Sequence, residues 1–293
     1  MTEPVLAIIG GSGLYDLPGL SETRWVDVET PWGAPSDQVY MGRLNGAQLA
    51  FLPRHGRGHR IPPNEVNYRA NIAALKSLGA TDVLSLSAVG GLRAELSPGT
   101  FVVVDQFIDR TFARAKSFFG TGLVAHVPMA QPVCSRLGDH VQAALAQQDV
   151  PHVRGGTYVV MEGPQFSTLA ESQLYRSWNA SVIGMTNMPE AKLAREAELC
   201  YCSISMVTDF DCWHPAHDAV TVDAVIRVLL GNAAVAKTLV AGLAGVITAD
   251  AHAAACACRH VLDHALITAP ESRDPVMVER LRGVAGRVLS ASG

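Results

Sequence analysis

The sequence is poor in charge. Asp, Glu, Lys and Arg supply only 17% of its 293 residues, and 27 acidic against 23 basic groups leave a formal net charge of −4. A chain this weakly and slightly negatively charged has no electrostatic footprint for coating nucleic acid or an anionic membrane. Disorder is excluded too, because 48% of the residues are hydrophobic and the net charge is small. Cysteine is sparse. Six residues, at 134, 200, 202, 212, 256 and 258, are too few for a disulfide scaffold, and no C-x-x-C pair suggests a zinc ribbon or a thioredoxin-like motif. The longest uncharged apolar stretch near the C-terminus, Thr238 to Ala249, reads as too short and too rich in Ala and Gly for a bilayer. Residues 1–20 hold Glu3 and Asp16 but no basic residue, which argues against a signal peptide. The expected location is the cytoplasm, without nucleic-acid or membrane partners.

What is present is an alternation of strand and helix patterns. Apolar runs at Val5 to Ile9, Gln48 to Leu52, Asp82 to Ala88, Phe101 to Val104, Thr157 to Met161, Ser181 to Met185 and Tyr201 to Val207 predict buried strands. Helical spacing is found over 64–78, 135–149, about Pro189 to Glu198, and 221–247, where Thr221 is the candidate N-cap. Residues 110–132 have weak periodicity and predict a long functional excursion. Such alternation predicts an α/β fold with a central mixed β-sheet flanked by helices. No repeat or linker precedes residue 249, so 1–293 is expected as a single domain, with 249–293 a C-terminal extension of undetermined structure.

Several strand ends carry chemistry. Gly10-Gly11-Ser12-Gly13 follows the first strand, where backbone N–H groups and a hydroxyl can cradle phosphate. It is no Walker loop and no dinucleotide fingerprint, since Asp16 stands where a third glycine belongs. A plain turn has the same pattern. Arg54-His55-Gly56-Arg57-Gly58-His59-Arg60, the most cationic segment, emerges from a second strand and suits a small oxyanion. Ser87-Ala88-Val89-Gly90-Gly91 adds a third loop of this kind, so one convergent phosphate site is expected. Asp209 and Asp211, after the strand 201–207, point the same way if the segment is extended, and there they can move protons or hold a polar heterocycle. His214, His217 and Asp218 follow, but without a second matching cluster they do not make a metal site. No G-x-S-x-G elbow is present for a serine hydrolase.

Together these segments resemble the methylthioadenosine phosphorylase branch of the purine nucleoside phosphorylases. The matching stretches are AIIGGSGLYDL (7–17), TPWGAPSD (30–37), RHGRGHRIPPNEVNYRANIAALK (54–76), DQFIDRT (105–111), HVPMAQP (126–132), MEGPQFST (161–168), GMTNMPEAKLAREAELCY (184–201) and TDFDCW (208–213), in family order across about 5–247. The resemblance implies a phosphorylase-type α/β fold, usually a homotrimer, with a dimer of trimers as the larger alternative. It implies attack of inorganic phosphate, a co-substrate, on the N-glycosidic bond of 5′-methylthioadenosine. Adenine and 5-methylthioribose 1-phosphate would result, with no metal or organic cofactor. By motif position Ser12, Arg54, His55, Ser87 and Thr186 would hold phosphate. Ala88, Phe166 and Met185 would contact the nucleoside, and Asp209 and Asp211 would face purine N7 and the 6-amino group. Val222, Val225 and Ile226 would line the methylthio pocket, which His126 of a neighbouring subunit would close.

Breaking the glycosidic bond puts positive charge on the ribosyl ring and negative charge on the departing base. Bound phosphate can stabilise the first, and a carboxyl of raised pKa can protonate the second. Asp209 is thus the candidate acid and Asp211 the acceptor that selects 6-amino purines. Ser12 and Ser87 stand where many members have threonine, which keeps the hydroxyl. Gln165 replaces an arginine, Val89 a cysteine, and Asn187 a second threonine. The nearest rival is a phosphorylase of methylthioinosine or other 6-oxopurine nucleosides, for which asparagine would be the natural partner of the 6-oxo group. A non-catalytic phosphate-binding protein and a nicotinamide dehydrogenase fit the carboxylates and the glycine loop less well. Cys256-Ala-Cys258 resembles the C-terminal C-x-C of some disulfide-bearing members; in a cytosolic protein the expectation is two reduced thiols.

Overall fold

The computed structural model describes residues 4–11, 14–215, 222–250 and 252–290, with the side chains of 222–224 excepted. Ser12, Thr221, His217, Asp218 and the side chain of Val222, all singled out above, lie outside the described residues. The described strands are β1 (Val5–Gly10), β2 (Ser21–Val26), β3 (Val39–Leu44), β4 (Ala47–Pro53), β5 (Ala80–Gly91), β6 (Phe101–Val103), β7 (Gln106–Asp109), β8 (His152–Arg154), β9 (Thr157–Val160), β10 (Val182–Gly184) and β11 (Cys200–Asp209). The helices are α1 (Tyr68–Ser77), α2 (Ser135–Ala146), α3 (Leu169–Ser177), α4 (Asn187–Glu196), α5 (Val222–Ala249) and α6 (Pro275–Leu289). The strands form one mixed sheet in the order β2-β3-β4-β1-β5-β10-β9-β7, while β11 pairs with β5 and β6, and β6 with β8.

Its centre is parallel: β1 runs beside β4 and β5, and β5 beside β11. Such strands are covered on both faces and therefore read as unbroken apolar runs rather than alternating ones. Successive residues of β1 point to opposite layers. Val5, Ala7 and Ile9 join the core that holds Leu193 of α4 and Leu281 of α6, whereas Leu6 and Ile8 join the core that holds Leu137 of α2 and Leu239 of α5. The result is helix, sheet, helix in three layers.

The tail, left undetermined by the sequence, packs on the rest of the chain: Leu281, Val284 and Ala285 of α6 are buried in the first core, on the side of α1. Two expectations change. Helix α5 is longer than the apolar stretch read from the sequence, because Lys237 does not interrupt it. Its segment Val225–Ala249 is by length and composition apolar enough to cross a membrane. In the fold, however, Ala236, Leu239, Val240, Leu243, Ala244 and Ile247 of this helix are buried in the second core, while Lys237 reaches Asp16 outside. Finally Asp211 is not in an extended segment. Its φ is 52°, and its N–H donates to Asp209 Oδ1 at 2.7 Å in a turn closed by the aspartate side chain.

Candidate active site

Parallel strands deliver their C-terminal ends to one edge, where the ends of β1 and β4 meet the last residues of β5; Ser87 to Gly91, expected as a loop, are strand because they pair with β11 and β10. The Arg54 N–H donates to Gly10 O at 3.0 Å, tying the end of β4 to the end of β1. The Arg54 side chain, 2% exposed, then turns into the sheet. Its Nε donates to Glu190 Oε2 at 2.9 Å, Nη2 to Glu190 Oε1 at 3.2 Å and to Ser85 Oγ at 2.6 Å, and Nη1 to Leu86 O at 3.0 Å. Glu190, also buried, raises the Arg54 pKa further despite the cost of burial. A guanidinium has five N–H donors, and these bonds leave one of them, on Nη1, unspent. Arg57 and Arg60 turn away instead. Both pair with Asp37, and Arg57 also lies over the Trp25 ring at 4.2 Å. The cationic segment therefore presents only its first two residues to the sheet edge.

His55 is held as a neutral ring. Its Nδ1 lies 2.8 Å from the Ile61 carbonyl, which can only accept, so Nδ1 carries the proton and Nε2 is a free acceptor. Burial, then the Arg54 charge, push the imidazole pKa down to about 4. Ser87 Oγ donates to Asn187 Oδ1 at 3.2 Å. Thr186 precedes α4 but makes no side-chain cap, and its Oγ1 is buried with no hydrogen-bond partner among the described residues. Ala88 is half-buried between these groups and Gly90 on β5.

The carboxylates stand at the end of β11, where the register with β5 shifts between Val207 and Asp209. This bulge re-aims the last side chain of the strand. Asp209 Oδ2 accepts from Thr208 Oγ1 at 2.7 Å, and burial, with the Asp211 charge adding to it, raises its pKa. Asp211 is raised as well, chiefly by burial. Asp211 Oδ2 is buried without a hydrogen-bond partner among the described residues, and the neighbouring Ser172 Oγ is equally unpartnered. Gly90 makes room for both acids: a Cβ there would sit 3.0 Å from Asp209 Oδ1 and 3.2 Å from the Asp211 Cβ.

Met185 is half-buried and placed by Arg114, which donates to the Met185 carbonyl at 2.6 Å, to Met188 O at 2.7 Å and to Glu162 Oε1 at 3.1 Å. Phe166 is 47% exposed and Ile226 45% exposed, Val225 is half-buried, and His126 is exposed on the excursion, its N–H bonded to Ala265 O. Sequence reasoning gave no role to three residues that organise the site: Glu190, Asn187 and Arg114. Asn187 bonds to Ser87, Ser85, Tyr201 and Ser203 at once. The one available signal was polar residues inside an otherwise apolar helix start, 186–190.

Residues 5–244 match the model of the phosphorylase superfamily. The S-methyl-5′-thioadenosine phosphorylase of Rhodospirillum rubrum is 61% identical over 287 residues, covering 98% of this chain and 98% of that one. That of Cereibacter sphaeroides is 58% identical over 98% of this chain and 99% of its own length. Among solved structures, a methylthioadenosine phosphorylase from an antarctic soil metagenomic library superposes with a TM-score of 0.89 at 46% identity, covering 97% of this chain and 99% of that one. The methylthioadenosine phosphorylase from Schistosoma mansoni in complex with adenine gives 0.85 at 36% identity, over 89% and 98%. These alignments extend past residue 249, so the tail is shared with the relatives.

Proposed function

This chain belongs to the phosphorylase superfamily, and from that membership we propose the reaction its site performs: phosphorolysis of S-methyl-5′-thioadenosine to adenine and 5-methylthioribose 1-phosphate. The enzyme is thus a pentosyltransferase. What carries the assignment of roles is the meeting, at the end of β11 beside Gly90 of β5, of a carboxyl whose pKa burial raises with a buried acceptor that lacks a donor among the described residues.

Phosphate takes the edge formed by β1, β4 and β5. Its oxygens accept from the unspent Nη1 N–H of Arg54, from the Thr186 hydroxyl and Ser12, and from the Ser87 hydroxyl, whose single proton turns from Asn187 Oδ1 to the phosphate. Its own hydroxyl donates to Nε2 of His55, which suits a ring that burial keeps neutral. A phosphate oxygen attacks C1′ as the C1′–N9 bond breaks; the bonding pair leaves with the base, and N7 takes the proton of Asp209. Asp211 Oδ2 accepts from the 6-amino group, which supplies the donor it lacks. Phe166 packs on the purine, Ala88 and Met185 contact the nucleoside, and Val222, Val225 and Ile226 line the methylthio pocket. We further propose a cytoplasmic homotrimer, in which His126 closes that pocket from the neighbouring subunit. The exposed apolar side chains of Phe112 (81%), Phe166 (47%) and Leu169 (52%) support a covered surface. Phosphate is the only co-substrate required.

The test is adenine release from methylthioadenosine with and without phosphate, beside hypoxanthine release from inosine. Phosphate-dependent adenine release should be much the faster. Faster turnover of inosine would overturn the role of Asp211, and release without phosphate would overturn phosphorolysis.

A further inference from the structure

Four thiols that the reaction does not use converge at the far end of β11 from Asp209. Cys200 opens that strand, Cys134 stands at the N-terminus of α2, and Cys256 and Cys258 belong to a short 3-10 turn after α5. Their Sγ atoms all lie within 4.8 Å of one another, and those of Cys134 and Cys256 are 3.6 Å apart. Cys134, Cys200 and Cys258 are buried, and Cys256 is partly so. Because β11 is ten residues long, roughly 30 Å of strand separates this cluster from the carboxylates.

We propose that Cys134, Cys200, Cys256 and Cys258 bind one zinc-type divalent cation in a tetrahedral, all-sulfur structural site. A zinc–sulfur bond of about 2.3 Å places the sulfurs of such a tetrahedron about 3.8 Å apart, which is the size of this cluster. Disulfides would sort the sulfurs into pairs at about 2 Å, whereas here each sulfur is close to the other three. Buried cysteines that merely pack as small apolar groups have no reason to meet from three segments. Cys202, equally buried and two residues along β11, stays outside the cluster.

Arginines stand around the cluster. Arg195 donates from Nη1 to Cys258 Sγ at 3.4 Å, while Arg136, next but one to Cys134, and Arg259, next to Cys258, are both paired with the buried Asp82, and Arg136 also with Asp250. Four thiolates around a divalent cation carry a double negative charge, and outer donors of this kind stabilise it. Binding releases to solvent the protons that the thiols held, and nothing is oxidised or reduced. The ion would staple the segment leading to α6 onto α2 and β11, on the edge of the sheet away from the chemistry.

Protein purified without chelator and without a metal-affinity column should contain about one zinc per chain by elemental analysis. After stripping, added Co²⁺ should give the intense visible bands and the sulfur-to-cobalt charge transfer of a tetrahedral thiolate site. Cys256→Ser and Cys258→Ser should each lose the metal and lower Tm, while KM for phosphate stays within about twofold, since the site lies far from the phosphate edge. The proposal is overturned if wild-type protein is metal-free and takes up no Co²⁺ with that spectrum, whether mass spectrometry then finds four free thiols or two disulfides. These readouts on the wild type do not depend on either variant folding.

Discussion

Asp209→Asn isolates the proton from everything else the residue does. In the native site Oδ1 accepts the Asp211 N–H at 2.7 Å and Oδ2 accepts the Thr208 hydroxyl at 2.7 Å. An amide of the same shape keeps its oxygen on the first. It places its nitrogen at the second, where the Thr208 hydroxyl can rotate to accept. The turn therefore survives and only the transferable proton is lost. A positioned general acid contributes about a hundred- to ten-thousand-fold, so kcat for adenine release should fall by that factor, about 3–5 kcal/mol of activation free energy. KM for phosphate should move less than about twofold, because Asp209 makes no phosphate contact in the proposed geometry. The pH dependence carries a second signature. Burial, then the Asp211 charge, raise the folded-state pKa above the ordinary value of 3.8. Between these two values the folded chain binds more protons than the unfolded one, so stability falls as pH rises through that window. Above it the penalty is constant. Asp209→Asn removes the penalty, and its stability in urea at pH 7 relative to wild type should exceed that at pH 4. A variant that keeps more than about a tenth of wild-type kcat would refute Asp209 as the acid, since so small a loss lies below the range of general acid catalysis.

Glu190→Gln leaves the buried Arg54 without its counterion while Tyr201 and Ser85 still donate to the same position; urea unfolding should show a loss of about 3–5 kcal/mol, with a raised KM for phosphate. A loss below about 1 kcal/mol would mean that Arg54 is balanced by another group. Gly90→Ala puts a methyl against Asp209 Oδ1, the Ile183 Cγ2 at 3.1 Å and the Asp211 Cβ. Steady-state kinetics should show a kcat loss of tenfold or more, beside an overpacking cost of about 1–3 kcal/mol in unfolding. Asp211→Asn exchanges the orphaned acceptor for a donor, so the preference for 6-amino over 6-oxo nucleosides should narrow by roughly ten- to a hundredfold, the worth of about 1–3 kcal/mol for one buried unpaired group; an unchanged ratio would place base selection elsewhere.

The parts of the fold legible in the sequence were those whose burial is two-sided. β1, β4, β5 and β11 are apolar throughout because helices cover both faces, and a run of that kind needs no knowledge of its partners. β2 escaped notice because SETRWV is mostly exposed, and α3 because only Ser172 and Tyr175 of its nine residues are buried. α6 had a readable start, Asp274 capping the Val276 N–H with Pro275 in the first turn, but its reason for existing is the core it joins. The site divides in the same way. Arg54, His55 and the two aspartates follow strand ends and can be read locally. The identity of Arg54's partner, 136 residues away in sequence, is a property of the fold alone. So is the gathering of four thiols from three segments, in which the C-x-C pair was visible and Cys134 and Cys200 were not.

Low overall charge sets a physical problem that the geometry answers in an unexpected way. The phosphate edge gains no net positive charge from Arg54, whose guanidinium is already neutralised by Glu190. It gains none from His55, held neutral by burial, and Arg57 and Arg60 are turned away from it towards Asp37. Capture of a dianion must then rest on hydrogen-bond donors fixed in place: one guanidinium N–H, hydroxyls that include the unpartnered Thr186 Oγ1, and loop amides. Such donors are short-ranged and buried, so salt screens them little. KM for phosphate should accordingly change far less between low and physiological ionic strength than it would for a site built on free cations. In the proposed mechanism a nearly neutral pocket also suits an Asp209 whose pKa burial raises. An ionised carboxylate beside the nucleoside would oppose both the incoming dianion and the charge developing on the base, and burial, by raising the pKa, eases that conflict at the cost of some stability at neutral pH.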